Sequence, residues 1–129
     1  MPGTRAQAKN TVNAIFGYSN AAVTASQFLT EFVCVSFGRI TGIKVYATTA
    51  GTGGGNTVVD VLVNGTSIWA SAGNKPTLLA TSTGEFANAI GDPGKVGLRP
   101  GDRVAIQVAS ISSTGHARLT STVAIEGNA

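Results

Sequence analysis

The sequence predicts an all-β antiparallel fold, a sandwich or a barrel, behind an extended N-terminal arm. Three observations predict it. Val, Ile and Thr supply 13, 8 and 16 of the 129 residues, against only 6 Leu, and branched side chains favour pleated surfaces over helices. Apolar and polar residues alternate with period two in one stretch after another. Turn signals built on Gly, Pro and Asn recur between those stretches. With 43% hydrophobic and 12% charged residues, the chain is a packed domain rather than a disordered tail. Its length suits one domain.

Residues 1–27 read as the arm and 28–129 as the sandwich domain. The arm is polar and rich in Ala and Asn, with isolated apolar positions at Val12, Ile15, Phe16, Tyr18 and Val23. Thr4 can cap a short helix through Lys9, and an extended arm suits the segment as well. Phe16 and Tyr18 flank Gly17, the pattern of an edge strand or of an arm laid on a neighbour. Phe28 to Ser36 is a β-prone run, and Phe32-Val33-Cys34-Val35 within it reads as a buried strand. Ile43, Val45 and Ala47 alternate with Lys44, Tyr46 and Thr48. Thr57 to Asn64 puts Val59, Val61 and Val63 on one face and Val58, Asp60 and Leu62 on the other. Ser67–Ala70 and Pro76–Ala80 are shorter candidates. Arg103–Ala109 places Val104, Ile106 and Val108 inward, and Arg118–Glu126 does the same with Leu119, Val123 and Ile125.

The punctuation fits these strands. Gly51 to Asn56 is a flexible loop, and Asn64-Gly65 is a two-residue hairpin turn, since both residues tolerate positive φ. Arg99-Pro100-Gly101-Asp102 predicts a type II turn, with Gly supplying the positive φ. Asp92-Pro93-Gly94 and Ser113-Thr114-Gly115 are further turns, and residues 81–95 read as a long connection.

The residues offer little chemistry. The one histidine, His116, follows Gly115 at an expected loop tip, and no strand-turn-helix elbow surrounds any Ser, so no catalytic set is predicted. One Cys and one His cannot build a zinc site within the chain, and the carboxylates lack calcium-loop spacing. No cofactor is expected: the glycine loop lacks the Gly-Lys-Ser/Thr ending of a phosphate-binding loop and precedes a strand. Cys34 reads as a packed structural thiol. Trp69 reads first as a core or interface residue, second as a platform for a sugar ring. A loop-borne recognition set would comprise Trp69, Asn74, Lys75 and His116. Net charge is +3, with the basic residues scattered along the chain, which argues against nucleic acid as a partner. Arg5 and Lys9 in the arm suit docking on protein better than phosphate contacts. No secretory signal or apolar membrane span is read, so the chain is expected in a reducing cytoplasm.

A set of motifs runs from about Ile40 to Glu126. It comprises Val59-Asp60-Val61, then Asn64-Gly65-Thr66-Ser67-Ile68, then Lys75-Pro76-Thr77-Leu78, then Pro100-Gly101-Asp102 opening Val104–Val108, and a closing Thr-rich strand from Leu119 to Ile125. In order and spacing this set resembles a β-sandwich domain of tailed-bacteriophage virion proteins, found in capsid decoration proteins, head fibres and tail appendages. The resemblance implies a jelly-roll sandwich, no enzymatic activity, and association with copies of itself, often as trimers. It also implies the major capsid protein or other virion proteins as partners, and a place in the virion after assembly in the host cytoplasm. On that reading Arg5, Lys9, Phe16 and Tyr18 are the arm's contacts with capsid or neighbouring subunit. A receptor- or carbohydrate-binding module of a tail fibre and a self-assembling coat protein are the alternatives.

Overall fold

The computed structural model describes residues 10–52, 56–79, 86–89, 91–111 and 114–128. Ten strands are arranged in two antiparallel sheets packed face to face. They are β1 (Asn10–Ser19), β2 (Phe28–Val33), β3 (Gly38–Thr49), β4 (Thr57–Val63), β5 (Thr66–Ser67), β6 (Thr77–Leu78), β7 (Phe86–Ala89), β8 (Gly97–Leu98), β9 (Arg103–Ser110) and β10 (Ala117–Asn128). The first sheet runs β1-β10-β3-β7, with β8 also on β3; the second runs β2-β9-β4-β5, with β6 also on β4. The chain therefore changes sheet at six of the nine connections between these strands, and its last long strand returns beside its first. This is the double Greek key of a jelly roll.

The core sits between the sheets and is built from the alternation seen in the sequence. Ile43, Val45 and Ala47 of β3, Val59 and Val61 of β4, Val104, Ile106 and Val108 of β9, and Leu119, Val123 and Ile125 of β10 are all buried. Each such aliphatic side chain stabilises the fold by about 1.5–3 kcal/mol relative to exposure. Asn64 and Gly65 turn the β4–β5 hairpin with φ of 53° and 85°, and Gly101 adopts φ 93° with the Asp102 amide donating to the Arg99 carbonyl at 3.1 Å. Both turns are of the expected kinds.

The edge strand suggested by Phe16 and Tyr18 is present, and several other expectations need correction. Asn10–Ser19 forms the edge strand of the first sheet, in unbroken ten-pair register with β10. Gly17 lets this happen, because a Cβ there would lie 2.7 Å from the Leu29 Cβ and 2.8 Å from the Ser121 hydroxyl. The expected connection 81–95 contains β7, which pairs with Ile43–Tyr46 of β3, and a short 3-10 turn at Pro93–Lys95. The buried strand expected through Val35 ends at Val33, leaving Val33 and Val35 in solvent. Ser67–Ala70 is only briefly a strand; Ile68 and Trp69 turn inward to the core. Arg5, Lys9 and residues 53–55 of the glycine loop lie outside the described residues.

Candidate functional site

The loop-borne recognition set does not assemble on the surface. His116 is 1% exposed. Its Nε2 lies 2.9 Å from the Leu79 carbonyl and its Nδ1 2.8 Å from the Thr57 hydroxyl. A carbonyl only accepts, so Nε2 carries a proton, and in the neutral ring Nδ1 then accepts from Thr57. Both ring nitrogens are thus used up tying the start of β10 to β4 and to the segment after β6. Gly115 makes the approach possible, since a Cβ there would stand 2.3 Å from the Val23 carbonyl oxygen.

Trp69 is also buried, at 2% exposure, so its expected core role holds and the sugar platform does not. Lys75 is tied down: its Nζ meets the Asp60 carboxylate at 3.0 Å. The Ser67 hydroxyl donates to the other Asp60 oxygen at 2.6 Å and accepts from the Trp69 amide at 3.1 Å. This network explains how Asp60, on the face of β4 away from the core, is itself buried without an unpaired charge. Of the four, Asn74 alone is exposed, in the 3-10 turn Ala72–Asn74. Among the described residues no three His, Cys, Asp or Glu side chains cluster as metal ligands.

Among the described residues, the exposed apolar side chains other than Phe28 and Leu79 lie in two places. One is the end of the sandwich where β2 crosses to β3. Val33, Val35 and Phe37 are 58%, 91% and 61% exposed there. Behind them lies a hollow of about 160 Å³ lined by Ile15, Phe32, Cys34, Leu98 and Ile125 among others. The loop is not slack. The Cys34 amide donates to the Asp102 carbonyl and the Gly101 amide to the Cys34 carbonyl, both at 2.8 Å. Asp102 fixes the facing turn in its own right, accepting from the Asn64 side chain at 3.0 Å and the Arg99 amide at 2.8 Å. The Asn64 bond, the Arg99 amide and the Arg99 charge hold its carboxyl below the usual range. Burial, then the negative charge of Asp102, push the Cys34 thiol up, so Cys34 stays protonated and a poor nucleophile at neutral pH. A shallower hollow of about 410 Å³ shares Phe37, Gly38 and Leu98 and is rimmed by Lys95 and Arg99.

The second place is the β1 side of the first sheet. Phe16 and Tyr18 are 65% and 53% exposed. In register they face Thr122 and Thr120 of β10, which face Lys44 and Tyr46 of β3. Of these six residues Lys44 alone is charged. The two places are joined. Asn10 pairs with Asn128, and Gly127 with Gly38, so the chain enters β1 at the same end as the Val33–Phe37 loop. The sequence named Phe16 and Tyr18 but missed Val35 and Phe37; an apolar residue beyond the last ladder pair of β2 was the available signal.

A scan against protein-family models and a search of curated proteins found no match to this chain.

Proposed function

We propose that this chain is a non-enzymatic structural protein of a bacteriophage virion, a capsid decoration protein that associates with copies of itself and docks on the capsid. The motif order noted in the sequence motivates the reading. The observation that carries it is the Val33–Phe37 loop: apolar side chains displayed on a base pinned by two backbone hydrogen bonds. Displaying apolar groups costs solubility, and holding them rigid lowers the entropy lost on docking. The loop opens at the end of the sandwich where β1 begins at Asn10.

The test is attachment to virus particles freed of the protein, read by co-sedimentation. Burying Val35 and Phe37 contributes about 3 kcal/mol, so Val35→Asp with Phe37→Asp weakens attachment by about a hundredfold. Deleting residues 2–9 weakens it less and leaves β1 intact. Attachment unchanged by the loop substitutions overturns the reading. The tail-fibre recognition module loses its footing, because Trp69 and His116 are interior and Lys75 is bound to Asp60. A coat protein would form empty shells when expressed alone.

A further inference from the structure

We propose that β1 is a self-pairing edge: two copies of the chain join antiparallel through Asn10–Ser19, extending the first sheet across both molecules. The inference deepens the structural reading, which requires copies to cohere, by naming the surface they use.

An edge strand exposes a row of unpaired amides and carbonyls, and monomeric proteins blunt such edges with charge, proline, bulges or brevity. Of the other edges, β2 carries Glu31 and a register shift between Phe28 and Thr30, and β5 and β6 have two residues each. β1 has none of these features. Its ten residues, NTVNAIFGYS, include no charged residue and no proline, and its register is unshifted throughout.

The occupant follows from the charge pattern. Pairing about a twofold axis sets a strand against itself, so a charged residue near its centre would meet its like. β2 would bring Glu31 against Glu31; β1 brings only neutral side chains together. Directly opposed residues of an antiparallel pair share a face. Registers that set Phe16 opposite Phe16 or Tyr18 of the second copy place these exposed rings together on the outer face, an aromatic cross-strand pair. The Phe16–Phe16 register gives a ladder of seven pairs, about 24 Å long, and with the sandwich thickness its footprint is on the order of 500 Å² per copy. The total of about 1,000 Å² sits at the lower limit for a specific interface. The association is therefore reversible and concentration-dependent.

The experiment is sedimentation velocity across micromolar to millimolar concentration. The full chain is expected to reach twice its 13.0 kDa mass. Phe16→Lys with Tyr18→Lys, and separately Phe16→Glu with Tyr18→Glu, raise the dissociation constant about a hundredfold, since like charges then oppose and the ring contacts are lost. Both positions are exposed, so far-UV circular dichroism stays unchanged. Mixing the Lys and Glu variants restores the doubled mass, which a merely unfolded variant cannot do. A wild-type chain that stays monomeric overturns the proposal, as do charged variants that keep the wild-type mass or a mixture that fails to pair. Particle attachment through the Val33–Phe37 loop is untouched by these substitutions. Lost pairing with intact attachment thus removes this inference alone, and lost attachment with intact pairing removes the docking reading alone.

Discussion

Replacing His116 with Phe distinguishes a structural histidine from a surface one. The ring shape is nearly kept, so the change falls on two hydrogen bonds, at 2.8 Å to Thr57 and 2.9 Å to Leu79. Thr57 is 2% exposed; without Nδ1 its hydroxyl is left in the interior with no acceptor, at a cost of about 1–3 kcal/mol. Leu79 is half exposed, so water can take over at its carbonyl and that loss is under about 1 kcal/mol. The sum is roughly 2–3 kcal/mol. At about 2.1 cal/mol/K per residue, a chain of 129 residues loses roughly 7–11 °C in Tm. The assay is denaturant unfolding of His116→Phe, Thr57→Val and the double variant. The double variant lacks the orphaned hydroxyl and is more stable than the additive sum by about 1 kcal/mol. A solvated loop histidine would change stability by less than about 0.5 kcal/mol. That result, or strict additivity, would refute the assignment.

Two further outcomes test the polar framework. Lys75→Met leaves the buried Asp60 carboxylate with the Ser67 hydroxyl but without its counter-ion, and destabilises the fold by about 2 kcal/mol at neutral pH in denaturant unfolding. Asp102 has its folded pKa depressed, chiefly by the Asn64 hydrogen bond, so its contribution is present above the unfolded carboxylate pKa and is lost as pH falls through the lower folded value. Asp102→Asn therefore flattens the decline of stability on the acid side of about pH 4, measured as denaturation midpoints against pH.

Legibility in the sequence followed how local each signal was. β4, β9 and β10 were readable because Val59/Val61, Val104/Ile106/Val108 and Leu119/Val123/Ile125 alternate with polar neighbours and are buried on one face. The Asn64-Gly65 and Gly101 turns were readable because their positive φ demands those residues. β1 was readable only at Phe16 and Tyr18, and β7 was not. Asn and Ala, poor strand formers, make up three of the four residues of Phe86–Ala89, and Asn10–Ser19 also carries two Asn. Their extended form is stabilised by ladders to β10 and β3, partners about 100 and about 40 residues away in sequence, so no local window contains the cause. His116 was misread for a similar reason. Gly115 signals a turn, and it is Val23, brought from the β1–β2 connection with its amide donating to the His116 carbonyl at 2.9 Å, that covers it. The exposed loop was misread in the opposite sense. Apolar Val33 and Val35 suggest burial, but the ladder with β9 stops at the Val33–Arg103 pair.

The jelly-roll order also lets the proposed cohesion and the proposed docking occupy different surfaces. The first strand of the double Greek key is an edge of its sheet, and the connection from β2 to β3 must bridge the two sheets at one end of the sandwich. The side edge and the end loop are therefore roughly perpendicular features of one rigid body. β1 begins at the loop end and runs away from it, so a twofold pairing through β1 is antiparallel and points the two Val33–Phe37 loops in opposite directions along the strand axis. Such a pair cannot set both loops on one flat surface. On the proposed reading, one copy docks while the other projects, or pairing links copies held on neighbouring surfaces. The second arrangement makes the pairing a bridge between attachment points, and in neither does pairing of two copies double the grip on one site.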